Sequence, residues 1–262
     1  MEPAASPALP SATRTLTGRA VWAGMLGNVL EWYDFGLYGL LAPVLATTFF
    51  PAHDRSAALM GAYGGFAAGF AMRPIGAAVL GRLGDLMGRR YLLALSVLLM
   101  GISTLAMGLL PSYAQWGLWA TGLLVAIRLL QGFSVGGEFV GSVTYLVESA
   151  PDRKRGLAGS VSNLGATVGL LLAALLAAWA LGSGAAWAWR ATFWLGGALA
   201  LAALLLRRGL PEIPGPGARA PLRSAWRGSR RTLLLVVVFT AGYGIVNYLA
   251  MVLLPAFAHE FG

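Results

Sequence analysis

The chain alternates long apolar runs with short polar connections, and this pattern predicts helices that cross a membrane. A helix needs roughly 20 residues to cross a bilayer, and seven runs approach or exceed that length. The predicted spans are 20–47, 57–82, 91–110, 117–147, 157–181, 189–206 and 232–256. A Pro- and Ser-rich tail, 1–18, is predicted to be disordered. The pattern therefore predicts an all-α transmembrane fold with a six-helix bundle at 19–206, a linker at 207–231 and a further helix within 232–262.

Composition supports a membrane protein and excludes several other classes. Of the 262 residues 58% are hydrophobic and 11% are charged, against about 25% charged in an ordinary soluble domain. The chain has no cysteine and two histidines, so thiolate or His-rich metal sites are not expected. We find no phosphate-binding or dinucleotide-binding glycine motif, and neither an enzymatic activity nor a cofactor is predicted.

The basic residues are distributed as expected for membrane topology rather than for nucleic-acid binding. The net charge is +9, but Lys and Arg occur in short clusters between apolar runs. If the N-terminus lies in the cytoplasm, 15 of the 19 basic residues do so too, as the positive-inside rule requires. The lipid bilayer is then the expected partner. The bias to Ala, Gly, Leu and Arg over Lys is typical of a GC-rich bacterial genome. The expected location is the bacterial inner (plasma) membrane.

Two carboxylates interrupt the first span. Glu31 and Asp34 are three residues apart, so both project from about the same face of a helix. Ionisable side chains within a membrane span are costly, and by default they indicate function. Burial favours the protonated carboxyl and a neighbouring Arg favours the ionised one, which is how a reversible proton site arises. The alternative is that one or both lie near the aqueous end and pair structurally.

The second and fourth spans also carry polar side chains. Gln131 and Glu138 share a face of the fourth span, with Arg128 beside them, and a polar cavity is one interpretation. Buried structural pairs without a transport role are the other. Arg73 follows a stripe of glycines at four-residue spacing, which predicts close helix packing. Arg73 itself could be a cavity cation or a structural anchor.

A glycine-rich polar segment joins the second and third spans. It is predicted to be a tight cytoplasmic turn, because glycine permits unusual backbone angles and two arginines would hold it inside. Its signature residues are Gly81, Asp85, Gly88, Arg89 and Arg90.

These residues together resemble the major facilitator superfamily, whose signature G-x-x-x-D-x-x-G-R-R matches that segment. In finer detail the chain is similar to the metabolite:proton symporters over about residues 24–214. The matching stretches are GNVLEWYDFGLYGLLAPVLATTFFP, RPIGAAVLGRLGDLMGRR, RLLQGFSVGGEFVGSVTYLVESAPDRKRG and WAWRATFWLGGALALAALLLRRGLPEIP. The resemblance implies a bundle of two inverted three-helix repeats. Leu86 departs from the family pattern, which has a basic residue there.

The resemblance also implies roles for the out-of-place residues. Asp34 and Arg128 would form a proton-sensitive pair, with the proton as coupling ion. Asp85 would belong to a latch that stabilises the outward-facing state. The remaining polar residues of the spans become substrate-binding candidates for a small polar metabolite, an organic acid or a zwitterionic osmolyte: Glu31, Tyr38, Arg73, Gln131 and Glu138.

Two functional hypotheses follow. The first is proton-coupled symport by alternating access. The second is a truncated, non-transporting half-transporter that acts only by assembling with partners, because members of the family have two six-helix halves. Under either hypothesis, a missing C-terminal half or a second chain is expected to be needed for transport.

Overall fold

Six long helices make up the part of the chain that is described in most detail. The computed structural model describes residues 18–51 and 54–210, and helical pieces at 230–232, 234–239, 242 and 246. A helical turn, Tyr113–Trp116, and a 3-10 turn, Asp152–Lys154, lie between the long helices. The long helices are α1 (Gly18–Phe49), α2 (Arg55–Met87), α3 (Arg89–Leu109), α4 (Leu118–Ser149), α5 (Arg155–Gly182) and α6 (Ala188–Arg207).

The observed helices coincide with the first six predicted spans, and no strand occurs among the described residues. Apart from the end of α2, every boundary lies within two residues of the prediction. Four helices, α3 to α6, are long and apolar enough to cross a bilayer by length and composition alone. The chain divides into two compact units, 1–215 and 216–262. Most of the predicted seventh span lies outside the described residues, and those described within it are helical.

The segment between α2 and α3 differs from the predicted turn. Gly81 and Asp85 are helical, and α2 continues to Met87. The break is confined to Gly88, whose φ of 101° favours glycine, and its N–H still donates to the carbonyl of Gly84 at 3.0 Å. A helix tolerates scattered glycines at a cost of about 1 kcal/mol each, and Gly84 in this segment is buried against Leu92 of α3. The signature is therefore mainly the last turns of α2, followed by a one-residue hinge.

The packing of the helices follows a two-fold pattern of three-helix repeats. α1 packs chiefly against α5, and its counterpart α4 packs chiefly against α2, while α3 packs against α6. α1 begins at Gly18 and α4 at Leu118, and α2 begins at Arg55 and α5 at Arg155. Exchanging the first three helices for the last three therefore reproduces the main contacts. α1 and α4 lie at the centre of the bundle, and the charged residues in the middle of both helices are buried.

Glycines bring α2 and α4 into backbone contact. A side chain at Gly132 on α4 would overlap the carbonyl oxygen of Gly69 on α2, and one at Gly76 would overlap the carbonyl of Phe133. Such close approach is the usual use of small residues in membrane helix interfaces. The prediction that the glycine stripe of the second span serves packing agrees with this arrangement.

Candidate functional site

A cavity lies among α1, α2 and α4. It coincides with the place where ionisable residues interrupt the apolar spans. Aromatic rings and glycines form the rest of its wall. Five of the residues predicted from the sequence line it: Glu31, Asp34, Arg73, Arg128 and Gln131.

Asp34 is held from three sides. Its Oδ2 lies 3.1 Å from Nη1 of Arg128 on α4. Its Oδ1 accepts hydrogen bonds from Thr104 Oγ1 on α3 at 2.9 Å and from Gln131 Nε2 on α4 at 2.8 Å. The structure thus brings the predicted pair together, and each oxygen of this buried carboxylate has a partner.

Arg128 rests on an aromatic support. Its guanidinium carbon lies 4.1 Å from the ring centroid of Tyr38 and 5.9 Å from that of Phe66. The Tyr38 hydroxyl donates to the carbonyl of Ala62 at 2.9 Å, which fixes the ring. Cation–π contact stabilises a desolvated guanidinium by about 2 kcal/mol. Tyr38, predicted as a substrate-binding residue, is fully buried and lies beneath Arg128 instead of lining the cavity.

Glu31 and Arg73 form a second, looser pair in the same cavity. Glu31 Oε1 lies 3.6 Å from Arg73 Nη1, and the Arg73 side chain is 28% exposed. Glu31 Oε2 is buried and has no hydrogen-bond partner among the described residues. The Arg73 guanidinium also lies 4.4 Å from the ring centroid of Phe70 and 5.5 Å from that of Phe35. Arg73 therefore lines the cavity and is anchored there by one carboxylate and two aromatic rings.

The four ionisable groups of the cavity balance one another. Two carboxylates face two guanidinium groups, so the cavity is formally neutral when all four are charged. A buried charge without its partner costs several kcal/mol. Any proton or charged ligand that enters must therefore be matched by a change in one of these pairs.

Glu138 belongs to a different cluster. It pairs through both carboxylate oxygens with Arg207, and neither side chain has exposed surface. Its Oε2 also accepts from the Ser96 hydroxyl. Gln131 and Glu138 share a face of α4, as predicted, but the structure assigns them to separate networks.

Three members of these networks were not found by sequence reasoning. Arg207 was assigned to the basic linker, although it is the last residue of α6 and is fully buried. Ser96 and Thr104 are two of the three Ser and Thr residues in the apolar third span, which is a weak signal. Gly27 on α1 leaves room for the pair of Arg207 and Glu138, because a side chain there would overlap both.

The signature segment links several helix ends. Arg89 lies 3.3 Å from Asp85, four residues earlier, and its Nε lies 4.0 Å from Glu148 at the end of α4. Arg90 donates to the backbone carbonyl of Arg208, just after α6. The ends of α2, α3, α4 and α6 that carry these residues therefore lie together. We call them the basic end.

Comparison with known proteins gives a consistent result. The Sugar (and other) transporter family model matches residues 20–215. The glycine betaine/proline/ectoine/pipecolic acid transporter of Dickeya dadantii is 42% identical over 201 residues, which cover 75% of this chain and 40% of that protein. The proline/betaine transporter of Escherichia coli K12 is 41% identical over the same length and shares. A putative proline/betaine transporter of Staphylococcus haemolyticus is 36% identical over 253 residues, 91% of this chain and 54% of that protein.

Solved structures show the same fold. The partially occluded, inward-open xylose transporter XylE of Escherichia coli superposes with a TM-score of 0.67 at 25% identity, covering 74% of this chain and 48% of that one. XylE bound to a bromodeoxyglucose, described as a major facilitator proton:xylose symporter, gives a TM-score of 0.66 at 25% identity, covering 74% and 44%.

The chain belongs to the Sugar (and other) transporter family, because that model matches well over half of its length. The major facilitator fold predicted from the sequence is confirmed, and the bundle is the N-terminal half of that fold. The chain spans about 40% of the first curated relatives it matches. These relatives are bacterial transporters, which agrees with a multi-pass membrane protein.

Proposed function

We propose that this protein takes part in proton-coupled symport of a small polar metabolite. The observation that carries the proposal is the buried Asp34–Arg128 pair, with its charged atoms 3.1 Å apart in a cavity at the centre of the bundle. In such a contact, a proton that binds the acid removes the counter-ion of the base, and a charged ligand can then compensate for it. Membership in a transporter family supports the proposal, and so does the similarity to a proton:xylose symporter.

The coupling follows from charge balance. A proton that binds the Asp34 carboxylate removes one negative charge and leaves Arg128 without its counter-ion. Because an unpaired buried cation is unfavourable, the cavity then attracts a ligand that brings a carboxylate to its guanidinium groups. When the ligand leaves, Arg128 again requires Asp34 as its partner, and the proton is released. Thr104 and Gln131 hold the carboxylate during these steps, through their hydrogen bonds to Oδ1.

The class of substrate is proposed from the relatives together with the cavity. Curated relatives of 41–42% identity are named as transporters of betaine and proline, which are zwitterions. A cavity that contains both carboxylates and guanidinium groups can match both charges of such a molecule. An organic acid would engage the guanidinium groups alone. We therefore favour a small zwitterionic osmolyte.

We also propose that transport requires a second six-helix half. Alternating access needs two bundles that rock around a central site, and the chain spans about 40% of the relatives' length. That half is supplied either by sequence beyond Gly262 or by another chain. The intact mass of the native gene product separates the two, since a mass well above 27.3 kDa requires further sequence. A mass of 27.3 kDa would leave a partner chain or a non-transporting protein.

We propose that the basic end and the N-terminus both face the cytoplasm. The distribution of arginines supports this orientation by the positive-inside rule. Asp85 and Arg89 would then act at the cytoplasmic side, where their contacts with neighbouring helix ends must change when the two halves rock.

Uptake under an imposed pH gradient tests the proposal. The native gene product, reconstituted in liposomes with an acidic exterior, should accumulate glycine betaine or proline. Asp34→Asn should abolish accumulation against a gradient, because Asn cannot bind the proton. Asp152→Asn changes an exposed acid and serves as the matched control. Accumulation that survives Asp34→Asn would refute Asp34 as the coupling group.

A further inference from the structure

Of the two ion pairs in the cavity, Glu31–Arg73 is the looser. Its atoms are 3.6 Å apart, against 3.1 Å for Asp34 and Arg128. Glu31 keeps one carboxylate oxygen without a partner among the described residues. Arg73 is the most accessible of the four groups, 28% exposed against 6% or less for the others. The pair therefore has unused hydrogen-bonding capacity at both ends.

We propose that Glu31 and Arg73 form a binding site for a zwitterion, which opens this internal pair and replaces it with two pairs to the ligand. The ligand's cationic nitrogen contacts the Glu31 carboxylate, and its carboxylate contacts the Arg73 guanidinium. The inference rests on the proposed transport function and deepens it, since it assigns the substrate's two charges to particular residues.

Charge balance selects a zwitterion at this site. When a zwitterion enters, one ion pair becomes two and every charge keeps a counter-ion. A ligand with only a carboxylate would engage Arg73 and leave Glu31 unpaired, and a ligand with only a cation would do the reverse. An uncompensated buried charge is strongly unfavourable. A ligand with only a carboxylate is therefore disfavoured by the unpaired Glu31, and a ligand with only a cation by the unpaired Arg73.

Three phenylalanine rings refine the chemical class of the cation. Phe35, Phe66 and Phe70 line the cavity, and the distances between their ring centroids are 4.7, 5.1 and 5.3 Å. The Arg73 guanidinium already lies over two of these rings, so the cluster stabilises a cation. Aromatic faces are well suited to alkylated ammonium groups, which present methyl surfaces. The site therefore fits an N-alkylated amino acid, such as a betaine or an imino acid.

Asp34 is not available for this role. Its two oxygens already have three partners, Arg128, Thr104 and Gln131. A ligand cation would have to displace one of them. The two acids of α1 are thus assigned different tasks, with Asp34 for the proton and Glu31 for the ligand.

Equilibrium binding to the native gene product in nanodiscs, without any pH gradient, tests the assignment. The probes are glycine betaine, its carboxylate-only isostere tert-butylacetate, and choline, which carries the cation alone. The wild-type protein should bind glycine betaine at least about 10-fold more tightly than either analogue. Each charge-assisted contact contributes about 10- to 100-fold in affinity, so Glu31→Gln and Arg73→Gln should each weaken betaine binding by that factor.

The variants should also change selectivity in opposite directions. Glu31→Gln should remove the preference for betaine over tert-butylacetate, and Arg73→Gln the preference over choline. Asp152→Asn and Arg190→Gln, an acid and an arginine outside the cavity, are matched controls that should bind betaine as the wild type does.

Three results would overturn the inference. They are an absence of betaine binding by the wild type, tert-butylacetate binding as tightly as betaine, and Glu31→Gln with unchanged betaine affinity. Because this assay involves no proton gradient, it measures binding and not the coupling assigned to Asp34. Failure of the coupling assignment would appear in the uptake experiment, with betaine binding intact.

Discussion

Glu138 on α4 and Arg207 at the end of α6 form an ion pair that has no exposed surface on either side chain. Arg207 also donates to the backbone carbonyls of Ala23 on α1 and Leu93 on α3. The pair thus joins four helices at one place. All the charge and most of the hydrogen-bonding capacity of both groups is used within the bundle, which is the arrangement of a structural pair.

Removing one partner of this pair should destabilise the bundle severely. Glu138→Leu leaves the Arg207 guanidinium buried without its counter-ion, and a loss of about 3–5 kcal/mol is expected. Thermal unfolding of the purified protein in detergent measures the effect. The double variant Glu138→Leu with Arg207→Met should recover much of the loss, because it leaves no uncompensated charge.

The exposed pair of Arg155 and Asp152, with atoms 2.9 Å apart, is the control for that experiment. Exposed ion pairs contribute about 0–1 kcal/mol, so Asp152→Asn should change the unfolding temperature little. Equal effects of Glu138→Leu and Asp152→Asn would contradict the structural role of the buried pair.

The contact between α2 and α4 should be sensitive to a single methyl group. In Gly132→Ala the new methyl would overlap the carbonyl oxygen of Gly69, so the two helices must separate. Overpacking of this kind costs about 1–3 kcal/mol. Gly122→Ala on the same helix meets nothing within 4 Å and should be neutral or stabilising by about 0.5–1 kcal/mol. The two variants are compared by thermal unfolding, and a stable Gly132→Ala would exclude the close approach.

The hinge between α2 and α3 should require glycine at one position only. Gly88 has a φ of 101°, and forcing a side chain into that conformation costs about 1–3 kcal/mol. Gly88→Ala should therefore lower the unfolding temperature. Gly81→Ala, in the helical part of the signature with open space around it, should not. If both substitutions behave alike, the turn extends over the whole segment, contrary to the structure.

Orientation can be read from accessibility to a membrane-impermeant thiol reagent, since the chain contains no cysteine of its own. Ala114→Cys lies in the exposed turn before α4, and Arg153→Cys lies at the basic end, also exposed. Reagent added to intact cells should label the first variant. It should label the second only after the cells are permeabilised. The reverse pattern would place the basic end outside.

The sequence alone predicts the six long helices and five of the residues that line the cavity. The apolar runs predict the helix boundaries, because a helix that spans a bilayer meets lipid or other helices along its whole length. Asp34, Glu31 and Arg73 stood out since charged groups in apolar spans are rare. The pairing of Asp34 with Arg128 came from family resemblance, and the structure brings the two together.

The remaining features depend on packing that a single sequence does not reveal. Arg207 stands beside Arg208 at the end of an apolar run, so it has the pattern of a topology signal, although the structure buries it. Its partner Glu138 is 69 residues away. Thr104 is one of three Ser and Thr residues in an otherwise apolar span, and only the approach of α3 to α1 gives it a role. In the signature segment α2 continues to Met87 where local propensity predicts a turn, and Gly84 within it packs against Leu92 of α3.

The central claim is that Asp34 couples proton movement to substrate movement. The most direct measurement is the proton flux that a glycine betaine gradient drives across liposomes containing the native gene product, followed with a pH-sensitive dye. We expect the wild type to move protons with the substrate. Asp34→Asn should exchange labelled for unlabelled betaine and move no protons. Proton movement in Asp34→Asn equal to that of the wild type would contradict the claim.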